Sequence, residues 1–232
     1  MRLLIVSDIH ANLAALQTVL AEPHDELWAL GDLVNYGPNP SEVVDLIRLN
    51  ASLVVQGNHD YAVGTGSGPR CSNAFREMAR EMQNYTERHL SVDQRAFLRG
   101  LPQTAARTVD GYRFFLCHAT PTEPLFKYCP AERAQWASEI WGLQADIVLA
   151  GHTHLPFTMS LEKQRIVNPG SVGQPKHGSP MACYALWEDG DLSLRSRPYP
   201  VQETVQKILS LPVSTEIRSQ LAEVLRSGSP PG

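Results

Sequence analysis

The sequence predicts an α/β fold whose sheet type changes along the chain, and three features of its 232 residues lead there. Short apolar runs alternate with helical patterns over the first sixty residues, as they do where parallel strands are covered on both faces. From residue 157 onward the runs are short and separated by turns, which is the antiparallel habit. Carboxylate, imidazole and amide side chains stand directly after five of the apolar runs, where strands should end.

Taken in order, RLLIVSD predicts the first strand. NLAALQTVLAE predicts a helix, because Leu13, Leu16, Val19 and Leu20 share one face and Asn12 can cap it. ELWALGD, the helix SEVVDLIRLN after Pro40, and ASLVVQGN follow. Gly64 to Pro69 is Gly-rich and predicts a loop, and CSNAFREMAREMQNYTERHL with SVDQRAFLRGL predicts two helices, a helical insertion over about 71–100. Strand signals return at YRFFLCHA and DIVLAGH, with a helix around AERAQWASEIWGL between them. PFTMSLE, QRIVN, MACYALWE and DLSLRSRPY are the turn-separated runs. One or two terminal helices are expected over about 203–226, then a frayed tail over 227–232. With no internal repeat and no dividing linker, residues 1–232 are expected to form one domain.

Hydrophobic residues make up 43% and charged residues 19%, a globular balance, and no run of about 18 apolar residues could cross a bilayer. The N-terminal LLIV is far shorter than a signal-peptide core of ~7–15 residues, so a cytoplasmic protein with no membrane partner is expected. The formal net charge of -4 lacks the basic excess of proteins that track long nucleic acid, which favours a small substrate. Cys71, Cys117, Cys129 and Cys183 form no CxxC pair, and Cys117 in RFFLC reads as a buried thiol. Apolar residues on the terminal helices leave a monomer or a homodimer open.

In open α/β sheets the ligand site lies beyond the carboxyl ends of the parallel strands. There the sequence sets Asp8 and His10, then Asp32 after Gly31, then Asn58 and His59 after Gly57, then His118, then His152 and His154. Singly, each has an ordinary explanation: a surface loop, a turn, a satisfied core histidine. Together, and in this order, they make a mixed N/O donor set of the kind that suits Mn²⁺, Fe²⁺ or Zn²⁺ better than Mg²⁺ or Ca²⁺. They outnumber the ligands of one catalytic ion, so two are implied, and a pair ~3.5–4 Å apart with a bridging carboxylate serves phosphoester hydrolysis.

The succession D-x-H, GD, GNHD, a lone His and GHTH resembles the calcineurin-like metallophosphoesterase superfamily. GDLVNYGPNPSEVVDLI and NPGSVGQPKHGSP look like its small prokaryotic phosphodiesterase branch. The likeness runs from residue 1 to about residue 200 and implies an αββα sandwich, two packed mixed sheets flanked by helices, with a binuclear site. It implies that Asp8, His10 and His154 hold one divalent ion, that Asn58, His118 and His152 hold the other, and that Asp32 bridges. Manganese is the expected metal, with iron, zinc, nickel or magnesium as alternatives. His59 is then the general acid that protonates the leaving alkoxide, and Asp60 has a structural role in the loop.

Where the protein-phosphatase branch carries an aspartate and an arginine, this chain has Asn35 and Tyr36, both candidate substrate contacts. Losing that carboxylate and that guanidinium fork favours a phosphodiester with one negative charge over a phosphomonoester. A phosphomonoesterase or phosphoprotein phosphatase is the enzyme alternative, and a non-catalytic metal-binding interaction module the alternative of another class. Lys176 and His177 stand where the last motif carries arginine, which counts against an anion-binding role for that loop. Arg70 and Arg76 read as solvated helix charges.

Overall fold

The computed structural model describes residues 1–68 and 76–230. Its elements are β1 (Arg2–Val6), α1 (Leu13–Leu20), β2 (Glu26–Ala29), α2 (Pro40–Asn50), β3 (Ala51–Val54), α3 (Asn58–Thr65), α4 (Arg76–His89), α5 (Val92–Gly100), β4 (Thr104–Val109) and β5 (Tyr112–Cys117). They continue with α6 (Arg133–Glu139), β6 (Ile147–Leu149), β7 (Phe157–Leu161), β8 (Gln164–Asn168), β9 (Ala182–Glu188), β10 (Asp191–Arg197), α7 (Val201–Leu209) and α8 (Thr215–Ser227).

The strands divide between two mixed five-stranded sheets, ordered β10-β9-β1-β2-β3 and β4-β5-β6-β8-β7. In the first, the parallel strands β1-β2-β3 run out to one edge and the antiparallel β9 and β10 complete the other side; in the second, the parallel centre β5-β6-β8 is flanked by antiparallel β4 and β7. The alternation of side chains along β1 explains the layering. Leu3 and Ile5 point between the sheets, joining Trp28, Leu30, Phe114, Leu116 and Leu149. Leu4 and Val6 point the other way, onto Leu16 and Val19 of α1 and Val43, Val44 and Ile47 of α2. A strand buried on both faces must be apolar throughout, which is why RLLIV shows no alternation. Beyond the second sheet, Val148 and Ile166 meet Trp136 of α6. The Cys117 thiol is buried there, and burial pushes its pKa up. Asn12 caps α1 by accepting from the Ala15 N–H, as expected.

Several expectations are corrected. Gly64 and Thr65 belong to α3 rather than to a loop. Gly64 lies where an added Cβ would stand 2.6 Å from the Arg99 nitrogen of α5, so the bare backbone allows the two helices to touch. Pro69, Arg70, Cys71 and the start of the expected insertion lie outside the described residues. β4 was not anticipated, because it is an edge strand whose Ala106, Arg107 and Thr108 are exposed and give no apolar signal. The terminal segment forms two helices, whose Val205, Ile208, Ile217, Leu221 and Leu225 pack with Met78, Met82 and Tyr85 of α4. Of their large apolar side chains, among the described residues, only Leu209 is exposed. The expected tail begins as ordered structure: α8 reaches Ser227, and Gly228 is buried. No helix among the described residues is long and apolar enough to cross a membrane.

Candidate metal centre

The polar residues predicted at strand ends do converge, and they do so on strained backbone. Positive φ angles occur at Asp8 (52°), His10 (46°), Ala11 (50°), Asp32 (53°), Asn35 (68°), Tyr36 (63°), His152 (66°) and His154 (62°). Such conformations cost about 1–3 kcal/mol each and persist only where the surroundings over-determine them. Here the loops after β1 and β2 are laced together: the N–H groups of Asp8, His10 and Ala11 donate to the carbonyls of Gly31, Asp32 and Leu33 at 3.1, 2.9 and 2.8 Å. Asn, Asp and His are the non-glycine residues that tolerate this region best, a signal present in the sequence.

Two clusters result. In the first, His10 Nε2 and His154 Nε2 are 3.1 Å apart, and Asp8 Oδ1 lies 3.3 Å from His154 Nε2 and 3.9 Å from His10 Nε2. In the second, His118 Nε2 lies 3.3 Å from Asp32 Oδ2, 3.0 Å from Asn58 Oδ1 and 3.1 Å from His152 Nδ1. Asp32 Oδ2 is also 3.8 Å from His10 Nε2, so one carboxylate borders both clusters.

Three of the imidazoles are oriented by main-chain carbonyls. His10, His118 and His154 donate from Nδ1 to Val34, Leu30 and Gln174 oxygens at 3.1, 2.8 and 2.6 Å. Each ring thereby turns Nε2 toward the centre, and two such lone pairs facing at 3.1 Å repel unless a cation lies against both. Asp8 Oδ1 is buried and receives no hydrogen bond. Within each of the sets Asp8–His10–His154 and Asp32–His118–His152 the ligand atoms lie within 4.8 Å of one another. The donors therefore fit a pair of divalent ions.

Burial dominates the electrostatics. It raises the Asp8 pKa to about 6, with His118 opposing, and lowers His10 and His152 to about 3. His59 and His154 are likewise lowered, first by burial. Asp32 is also desolvated, but the charge of His118 and then of His59 holds it well below the usual carboxylate range. Burial would lower His118 too, yet Asp32 overrides it and raises its pKa to about 9. A divalent ion at the second cluster must displace that proton. The sign is therefore fixed: apparent affinity there rises about tenfold per pH unit up to about 9 and then levels. Below about 6 the first cluster weakens as well, because Asp8 takes up a proton. Zinc titration calorimetry at pH 7.5, in two buffers of different ionisation enthalpy, should record at least one proton released per chain, from His118 and from any water that the ions ionise. Release of none would contradict the His118–Asp32 pairing.

GNHD opens α3. Gly57 is extended (φ -90°), so glycine is required there by a close approach and not by left-handed backbone: an added Cβ would stand 2.1 Å from Asp32 Oδ1. Asp60 accepts three main-chain N–H bonds, from Asp32 (2.8 Å), Gly57 (3.0 Å) and Leu33 (2.9 Å), which supports the structural role expected for it. Its own pKa is raised to about 7, by burial first and then by Asp32. Asn35 Nδ2 donates to His59 Nδ1 at 2.8 Å, while Asn35 Oδ1 is buried without a partner. Tyr36 stands edge-on to His10 and His59, at centroid distances of 4.9 and 4.8 Å, and its other side packs against the α4–α7–α8 cluster. Arg76 is exposed at the start of α4, and His177 lies 3.6 Å from Cys183 Sγ. Sequence reasoning missed the Leu30, Val34 and Gln174 carbonyls, since a main-chain oxygen has no residue signature.

Comparison with known proteins agrees with this geometry. Residues 1–189 match the model of the calcineurin-like phosphoesterase superfamily domain. An uncharacterized protein of Methanocaldococcus jannaschii, MJ0912, is 30% identical over 227 residues, covering 88% of this chain and 90% of that one. The phosphodiesterase YfcE of Escherichia coli K12 is 29% identical over 216 residues, covering 84% and 91%. The crystal structure of a metallophosphoesterase from Sphaerobacter thermophilus superposes with a TM-score of 0.82 at 30% identity, over 98% of this chain and 99% of that one. PH1004 of Pyrococcus horikoshii, 17% identical, shares the fold with a TM-score of 0.85 over 99% of each chain. Because the family match takes in every candidate ligand from Asp8 to His154, the chain belongs to the calcineurin-like phosphoesterase superfamily.

Proposed function

We propose that the protein is a binuclear metal-dependent phosphodiesterase acting on small phosphodiesters, with His59 as general acid. Asp8, His10 and His154 hold one ion, Asn58, His118 and His152 the other, and Asp32 lies between. Bound divalent ions, manganese foremost, polarise a phosphoryl group and lower the pKa of water. The rest of the chemistry belongs to the chain. The observation that carries the diester reading is the hydrogen bond from Asn35 to His59 at 2.8 Å, in a site whose next residue is Tyr36. An amide orients the imidazole without adding a second negative charge, and a tyrosine offers no fork to a dianion. Asn35 also serves both protonation states of His59. Its Nδ2 donates to the neutral ring, and a half-turn of the amide presents the unpartnered Oδ1 to an Nδ1–H. The acidic balance favours a small substrate over long nucleic acid, and we assign the protein to the cytoplasm.

Hydrolysis of bis-p-nitrophenyl phosphate against p-nitrophenyl phosphate tests this, with protein stripped of metal and resupplied with Mn²⁺, Zn²⁺ or Mg²⁺. Metal-dependent turnover that prefers the diester is expected. A monoester preference would overturn the diester assignment, and no turnover with both ions bound would point to an interaction module.

A further inference from the structure

The loop between β5 and α6 is fastened on either side of one exposed ring. Before that ring, Lys127 Nζ donates to Oε1 of the buried Glu139 at 2.5 Å, and Thr122 Oγ1 donates to its Oε2 at 2.5 Å. Phe126 meets Tyr61 of α3 edge-on, with centroids 6.0 Å apart. After it, Cys129 is buried, and Trp136 Nε1 of α6 donates to the Pro130 carbonyl at 3.0 Å. The ring between these fastenings is Tyr128, which is 58% exposed and stands edge-on to His152 at a centroid distance of 6.2 Å.

A single exposed aromatic side chain needs no explanation, and Trp141 and Tyr112 are exposed as well. What sets Tyr128 apart is its neighbour. In the two ligand sets Asp8, His10, His154, Asp32 and His118 are buried, and His152 alone is partly exposed. Among the described residues, the centre therefore opens to solvent beside His152, and a phosphoryl group on its way to the ions passes there. Tyr128 stands at that opening on a loop held by its neighbours, so its ring is presented with little further ordering cost. The position also says which part of a diester meets it. His59, which protonates the departing arm, lies against His10 and Tyr36 at centroid distances of 5.3 and 4.8 Å, whereas Tyr128 lies against the other cluster.

Building on the phosphodiesterase reading, we propose that Tyr128 is a stacking platform for a nucleobase on the ester arm that stays on phosphorus, so that small nucleoside diesters are the preferred substrates. Every base has a π-face, and an aromatic side chain binds it without reading its edge. The platform therefore selects for a base and not for its identity.

The test uses manganese-loaded full-length protein and the variants Tyr128→Ala and Tyr128→Phe. Two diesters with the same leaving group, thymidine 5′-(p-nitrophenyl phosphate) and methyl p-nitrophenyl phosphate, differ only in the arm that is kept. Tyr128→Ala should raise KM for the thymidine diester by roughly 5- to 50-fold, the worth of one stacked base, and leave KM for the methyl diester as it was. Tyr128→Phe should stay within about twofold of the parent on both, since a phenyl ring keeps the π-face. Calorimetry with adenosine 5′-monophosphate and ribose 5-phosphate should show the same contrast, with only the nucleotide losing affinity in Tyr128→Ala. Equal effects on both members of either pair, or none, would overturn the proposal. So would loss of metal from Tyr128→Ala, which would mean that the ring supports His152 and not the substrate. If the parent protein turned over neither diester, the phosphodiesterase reading would fall, while the calorimetric pair would still decide the role of Tyr128.

Discussion

A His59→Ala variant is expected to keep both metal ions and lose about 10²- to 10⁴-fold in kcat, the usual worth of a positioned general acid. The ring is buried at 6% exposure, meets His10 edge-on at a centroid distance of 5.3 Å, and is held by Asn35, and it belongs to neither ligand set. Metal binding should therefore survive its removal. The size of the loss should depend on the leaving group. p-Nitrophenolate departs with little help from a proton, whereas an alkoxide needs one, so an alkyl diester should suffer the larger effect. Equal losses for aryl and alkyl leaving groups, or retained turnover on both, would remove His59 from proton transfer. Metal analysis of the variant separates either result from a damaged centre.

Asp32→Asn should act on the metals themselves. This carboxylate is 3.3 Å from His118 Nε2 and 3.8 Å from His10 Nε2, while its Oδ1 accepts the His59 N–H at 2.9 Å. An amide supplies one oxygen and no charge, so it cannot border both clusters as a shared anion. Metal content should fall from two ions toward one per chain. With several kcal/mol of charge stabilisation lost, at about 1.4 kcal/mol per tenfold, kcat/KM should drop by about 10²- to 10⁴-fold. Removing the charge that raises His118 should also lower its pKa and cut the proton release described above by about one per chain. A variant with two ions and parental kcat/KM would show that Asp32 does not bridge.

The candidate site was legible because its residues are chemically expensive where they stand. Polar donors buried at the ends of apolar strands have no packing purpose, so Asp8, Asp32, Asn58 and His118 announce a site before any coordinates exist. The helices of the insertion and the C-terminus were readable from their apolar periodicity. β4 was not, because an edge strand that leaves Ala106, Arg107 and Thr108 in solvent carries little hydrophobic pattern. α3 was not anticipated, because GNHD reads as a strand end and Gly64 signals a loop by propensity, whereas the tight contact of Gly64 with the Arg99 backbone is what requires glycine.

By itself, the sequence determined the α/β class, the order of most strands along the chain, the identity of the metal-type donors and the presence of Asn35 and Tyr36 after Gly31 and Asp32. These depend on residue type and on local spacing, which a linear chain records. Only the tertiary structure decided that the parallel strands divide between two sheets and that Asp32 borders both clusters. It also decided that Leu30, Val34 and Gln174 carbonyls aim the imidazoles. Each of those is a contact between main-chain or charged groups far apart in sequence, set by packing and carrying no mark in the order of residues.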